Sequence, residues 1–155
     1  MIIKIAKKDD IKDIVELAFN IHTQHSIYNR YYSLRDNAKE LIKKYYLKLI
    51  QSKEHYFIVA IENEKVIGYA YASTGKRAPY YKEVNFGFFD EIFIKEEYRN
   101  KGIGNKMIDN IMTWFKEQGF IYTEMEVDTN NEVAISVCKK KGYYPFINKM
   151  LKKLT

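Results

Sequence analysis

Three runs rich in β-branched and aromatic residues follow one another between Tyr56 and Ile94, and they constrain the fold of this chain more than any other feature. Phe57-Ile58-Val59-Ala60-Ile61 and Val66-Ile67-Gly68-Tyr69-Ala70-Tyr71-Ala72 are separated only by the polar Glu62-Asn63-Glu64-Lys65, which reads as a hairpin. After a loop-like stretch from Gly75 to Glu83, Phe86 to Ile94 supplies a central strand. The period then changes: Ile103, Met107, Ile111, Trp114 and Phe115 share one face of a helix from about 102 to 118, and Gly119 is placed to cap it.

Upstream, residues 2 to 6 alternate as a strand, and Ile11, Ile14, Val15, Ala18, Phe19 and His22 recur at helical spacing, predicting a first helix from about 10 to 24. The tyrosine-bearing stretch from Ser26 to Ser33 separates it from a second helix near Asp36 to Gln51, carried by Ala38, Leu41, Ile42, Tyr45 and Leu49. Downstream, Ile121 to Val127 alternates, Asn131 to Lys140 reads as a short helix, and Tyr143 to Leu154 as a last strand. The order β-α-α-β-β-β-α-β-α-β predicts an α+β fold, a mixed, mostly antiparallel central sheet of about six strands flanked by about four helices.

No linker, repeat or low-complexity tract interrupts the 155 residues, so a single domain spanning 1–155 is expected. Charged residues make up 30% and hydrophobic ones 46%, with no apolar run near the roughly 20 residues of a membrane span. The first residues lack the apolar stretch of a secretory signal, and Cys138, the one cysteine, rules out an internal disulfide and a thiolate zinc cluster. A cytoplasmic chain without a metal is expected. The formal charge of +6 fits nucleic acid, an anionic membrane surface or an anionic cofactor. The densest basic run, Lys139-Lys140-Lys141 with Lys149, Lys152 and Lys153 beyond it, lacks the arginine and aromatic interleaving typical of a nucleic-acid surface and reads as a solvated face. Neither a membrane nor a nucleic-acid partner is expected.

Chemistry concentrates where Asp90-Glu91-Ile92-Phe93-Ile94 is followed, after a short link, by Arg99-Asn100-Lys101-Gly102-Ile103-Gly104 at the start of the amphipathic helix. Unpaired amides and the positive dipole end at a helix start suit a pyrophosphate, and glycines let the backbone come close to it. The same glycines also serve helix starts that bind nothing. A dinucleotide-binding turn wants Gly-x-Gly-x-x-Gly directly after the first strand of a βαβ unit, whereas three strands precede Arg99 here. A P-loop fails for want of its Gly-Lys-Ser/Thr ending.

Arg-x-x-Gly-x-Gly after an apolar strand resembles the acyl-CoA pyrophosphate loop of the GNAT superfamily of N-acetyltransferases. Asn131-Glu132-Val133-Ala134 with Lys141-Gly142-Tyr143, and the hairpin ending in Val66-Ile67-Gly68-Tyr69-Ala70, resemble further segments of that family in order and spacing. The resemblance implies transfer of the acetyl group of acetyl-CoA directly to a primary amine of a small molecule, peptide or protein, within a ternary complex. It implies that Ile92, Phe93 and Ile94 lie on a fourth strand that splays from the fifth, so that its backbone pairs with the pantetheine arm. The pyrophosphate would rest on amides of Asn100, Lys101, Gly102, Ile103, Gly104 and Asn105, with charge from Arg99. Asn131 would contact the pantetheine or adenine side, or serve as a helix cap. Homodimers are common in such a family, and the sequence singles out no interface.

In this family a strand carboxylate commonly assists amine deprotonation, and a tyrosine seven residues after the Asn reprotonates the leaving thiolate. Counting from Asn131 gives Cys138, whose thiol is either that proton donor or a small packing residue; Tyr143 and Tyr144 are nearby substitutes. For the base, strand alternation places Asp90 on the face of Ile92 and Ile94 and Glu91 on the other. Glu124, Glu126 and Asp128 form another acidic face on the next strand, either drawing a cationic amine or facing water. The family's acceptor pocket lies between the first inter-helix loop and the loop before the fourth strand, which here carry Tyr28, Arg30, Tyr31, Tyr32, Tyr80 and Tyr81. The rival expectation, favoured by Cys138, is a non-catalytic acyl-CoA-binding or sensing module.

Overall fold

The computed structural model describes residues 1–154. The hairpin turns on two left-handed residues, Asn63 at φ 49° and Glu64 at φ 62°, which join β2 (His55–Glu62) to β3 (Lys65–Lys76). Two successive positive φ values give a turn whose twist matches that of the strands it connects. With β1 (Ile2–Ile5), β4 (Asn85–Ile94) and β5 (Thr123–Met125), the strands lie across one sheet in the order β1-β2-β3-β4-β5. The first three junctions are antiparallel and the last, between β4 and β5, is parallel.

Helices cover both faces. α1 (Ile11–Tyr28) and α2 (Ala38–Gln51) bury Ile14, Leu17, Ala18, Tyr46 and Leu49 against Phe57, Val59, Tyr69, Tyr71 and Phe93. α3 (Ile103–Glu117) lays Ile103, Met107, Ile111 and Phe115 against the alternate residues Ile58, Ala60, Ala70, Ala72 and Phe89. Along β2, and along β3 from Tyr69 to Ala72, the period-two pattern thus divides between two cores, with one register shift at Ile67 earlier in β3. On the α1/α2 side the packing is aromatic: Phe57 stacks on Tyr71 at 5.0 Å between centroids, and Tyr46 meets Phe57, Tyr69 and Tyr71 edge-on at 5.7, 5.9 and 5.7 Å. Each such pair adds about 0.5–1.5 kcal/mol beyond its area. α4 (Glu132–Lys140) follows β5.

Two expectations change. α1 runs on to Tyr28, past the predicted end near 24, so Tyr28 closes a helix instead of lying in a loop. The predicted sixth strand, Tyr143 to Leu154, is irregular, and Tyr144, Phe146, Ile147, Met150, Leu151 and Leu154 are exposed along it. Pro145 removes one ladder donor, and β5, only three residues long, offers little edge to pair with. The sheet described therefore has five strands. Among the described residues no helix is long and apolar enough to cross a membrane.

Candidate active site

The site begins with a miscount in β4. Tyr71 lies opposite Glu91, but the next residue of β3, Ala72, lies opposite Phe89, so Asp90 is an extra residue bulged out of the ladder. This corrects the face assignment made from alternation. Asp90 accepts a hydrogen bond from Ser73 Oγ at 2.7 Å, and Glu91 accepts from the Tyr46 hydroxyl at 2.6 Å and from the Tyr69 hydroxyl. Ser73 follows Tyr69 and Tyr71 at every second position of β3, on the α1/α2 side, whereas Ile92 and Ile94 pack with Phe89 under α3. Two consecutive carboxylates therefore share the aromatic face.

Glu91 is almost enclosed, its side chain 9% exposed, and His22 of α1 reaches it with Nε2 3.6 Å from Oε2. His22 Nε2 also lies 3.0 Å from the Tyr46 hydroxyl. Burial first, and then the nearby Glu91 charge, push the Tyr46 and Tyr69 phenols far above the usual range, so both stay protonated and act as donors. Burial also pushes Asp90 up to about 6; the Ser73 hydrogen bond opposes this and the Glu91 charge adds to it. Beside these carboxylates opens a pocket of about 410 Å³ lined by His22, Leu41, Ile42, Tyr45, Tyr46 and Tyr71. Sequence reasoning had placed none of the six in a site; the available signal was a histidine on an otherwise apolar helix face.

On the other side of the bulge β4 loses its neighbour. β5 pairs only with Gly87, Phe88 and Phe89, leaving the edge from Asp90 to Ile94 without a strand partner on that side. A short helical turn, Glu96–Tyr98, then leads into the glycine segment, where Asn100 at φ 60° and Gly102 at φ 77° both adopt the left-handed conformation. Gly102 caps α3 with no side chain, so the amides of the first turn at Ile103, Gly104 and Asn105 lack intrahelical partners. A Cβ on Gly104 would meet Ile94 Cδ1 at 3.3 Å, which shows how closely the turn lies against the end of β4. Arg99 ties the two together: its Nε donates to the Ile94 carbonyl at 2.9 Å and its guanidinium sits 5.6 Å from the Phe93 ring centre. The Lys101 ammonium lies over Tyr98 at 5.2 Å.

The remaining predicted residues scatter. Asn131 Oδ1 accepts from the Ala134 amide at 3.1 Å and caps α4. Cys138 sits with Sγ 3.3 Å from Met125 Sδ, its thiol pushed up by burial, and the Tyr143 hydroxyl lies 3.2 Å from Thr123 Oγ1. Glu124 pairs with Arg77, Glu126 with Lys149 at 3.1 Å, and Asp128 accepts from the Asn130 amide at 2.8 Å. These three do not form one acidic face, because β5 ends at Met125. Tyr28, Tyr31, Tyr32, Tyr80 and Tyr81 are exposed and lie outside the pocket lining.

Comparison with known proteins bears on the family and the fold. The acetyltransferase (GNAT) family model matches residues 21–143. A curated relative, an uncharacterised N-acetyltransferase of Methanocaldococcus jannaschii, is 26% identical over 141 residues, 91% of this chain; the chain spans 59% of that relative's length. Among solved structures, a mutant of the BH1408 protein from Bacillus halodurans superposes with a TM-score of 0.87 at 20% identity over 100% of both chains. The aminoglycoside 6'-N-acetyltransferase AAC(6')-IG from Acinetobacter haemolyticus gives 0.77 at 17% identity, also over 100% of both chains. The aminoglycoside N-acetyltransferase AAC(6')-Iy in complex with CoA gives 0.79 at 14% identity, covering 98% of this chain and 93% of the other. At such identities the solved structures speak for the fold, and the family match speaks for kinship: the chain belongs to the GNAT family of acetyltransferases.

Proposed function

We propose that the protein moves the acetyl group of acetyl-CoA directly to a primary amine, with both substrates held at once and Asp90 taking the amine's proton. The observation that carries this reading is the placement of a bulged carboxylate at the point where β4 leaves β5. The residues fit the cofactor: an unpaired strand edge suits a thin polar arm, and an uncapped helix start preceded by two left-handed residues suits a pyrophosphate. The backbone of Ile92, Phe93 and Ile94 would hold the pantetheine arm, and the amides from Asn100 to Asn105 the pyrophosphate. Arg99 and Lys101 would add charge, and Asn131 would present its amide NH2 to the cofactor. When bound, acetyl-CoA supplies the acetyl group as a thioester. AAC(6')-Iy, which shares this fold, has been solved with a CoA–acetylneamine bisubstrate analogue, in keeping with direct transfer.

Asp90 suits the role of base by its environment. A carboxyl pushed up to about 6 is a better proton acceptor than a surface aspartate. At pH 7 such a group is still ionised in roughly nine molecules of ten. Glu91, held by two phenols, is the fixed charge beside it. Cys138, turned against Met125, is read as a packing residue. Its position favours a second reading, a non-catalytic acyl-CoA-binding module, and catalysis separates the two. Acetyl-CoA mixed with a panel of primary amines should release free thiol at a rate that saturates with amine. An acetyl-CoA-binding protein that releases none with any amine, peptide or protein acceptor would overturn the enzyme reading.

A further inference from the structure

We infer that the acceptor is a primary amine with a single positive charge on an aromatic or aliphatic body, bound in the pocket between α2 and the sheet; this rests on the acetyltransferase reading above. The pocket of about 410 Å³ is of a size for one small organic molecule. Its charge lies at one end. Tyr71, in the wall, is the register partner of Glu91; His22, also in the wall, lies 3.6 Å from Glu91; and the Tyr45 and Tyr71 phenols both feel the charges of Asp90 and Glu91. Glu91, with Asp90 next to it, therefore lies behind the wall that His22, Tyr46 and Tyr71 form, and its charge acts on an ammonium in the pocket.

The rest of the lining holds no carboxylate for a second ammonium. Leu41 and Ile42 are aliphatic, and Tyr45, Tyr46 and Tyr71 hold their protons more firmly than free phenols. Their rings suit an apolar body, by area and by stacking. A polyamine or an aminoglycoside would place its remaining ammonium groups against this lining, which holds no carboxylate to meet them.

The test compares initial rates of thiol release from acetyl-CoA with 2-phenylethylamine, spermidine and kanamycin at one pH and ionic strength. We expect kcat/KM for 2-phenylethylamine to exceed that for either polycation by about 100-fold, the upper range of what one pocket achieves by fit. Leu41, which is partly exposed, gives a second arm: Leu41→Glu places an acid at the apolar end and should raise spermidine relative to 2-phenylethylamine by about tenfold, at unchanged acetyl-CoA affinity. Spermidine or kanamycin turning over as well as 2-phenylethylamine would overturn the substrate class and leave the acetyltransferase reading standing. Release with no amine of any class would sink that reading, and this inference with it.

Discussion

The two faces of the sheet are filled with different chemistry, although the same strands lie between them. Under α3 the contacts are mostly aliphatic, Ile58, Ala60, Ala70 and Ala72 against Met107 and Ile111, closed by the rings of Phe89 and Phe115. Under α1 and α2, the rings of Tyr46, Phe57, Tyr69 and Tyr71 surround Glu91, with His22 at the margin. A phenol brings a flat apolar body and a hydroxyl donor together, so an aromatic layer can hold a carboxylate that an aliphatic layer would have to expel. One face therefore supplies rigidity, and the other supplies charge at a cost in stability that its hydroxyls offset.

Substitutions on the two faces should fail in different ways. Met107→Ala, at a site with 0% exposure, should cost about 2–5 kcal/mol in urea unfolding, with the same penalty at every pH. Glu91→Ala strands phenol donors on the other face at about 1–3 kcal/mol each, and Glu91→Gln, which keeps an acceptor, should recover much of it. An Ala variant as stable as the Gln variant would break the comparison.

Next in size is Asp90→Asn, with kcat falling about 10²-fold and the limb of the pH–rate profile near pH 6 disappearing. A profile identical to that of the unsubstituted protein would remove Asp90 as the base. Stability should move the opposite way. The folded chain raises this carboxyl from 3.8 to about 6, so between those values the native state holds a proton that the unfolded state has released. The contribution of Asp90 is thus intact below about pH 4 and lost as pH rises through 6. Melting curves should show Asp90→Asn more stable than the parent at pH 8 and equal to it at pH 3.5.

Gly104→Val tests the region joining the faces. The new side chain meets only the flexible end of Ile94, so the protein should fold, with acetyl-CoA binding weakened about tenfold by calorimetry. Unchanged affinity would remove the pyrophosphate assignment. The smallest effect belongs to Cys138→Ala, where packing against Met125 predicts a change in kcat within about threefold. A loss beyond about 100-fold in a stable protein would make the thiol the catalytic acid.

The glycine turn was legible because it is local: six consecutive residues from Arg99 to Gly104, with a strand period before them and a helix period after. The aromatic pocket was not, because it draws His22 from α1, Leu41, Ile42, Tyr45 and Tyr46 from α2 and Tyr71 from β3, and only the fold brings these together. His22 was absorbed into an apolar helix face, and Tyr45, Tyr46 and Tyr71 were lost among 14 tyrosines. Nothing in Phe89-Asp90-Glu91 tells where a register will slip, so alternation put Asp90 on the wrong face. The over-read last strand fails for a related reason: period two describes a candidate strand, and only a partner edge makes it one.

The bulge makes Asp90 supernumerary in an architectural sense. Phe89 and Ile92 face α3, and Glu91 faces α1 and α2, as they would if position 90 were simply skipped. The strand's reading frame closes around this residue, so the faces of its neighbours do not depend on what stands there. Chemistry at position 90 is then free to be exchanged, or even excised at the cost of about 3.3 Å of strand, without turning any other side chain over: the carboxylate proposed as the base is an interpolation in the strand's frame.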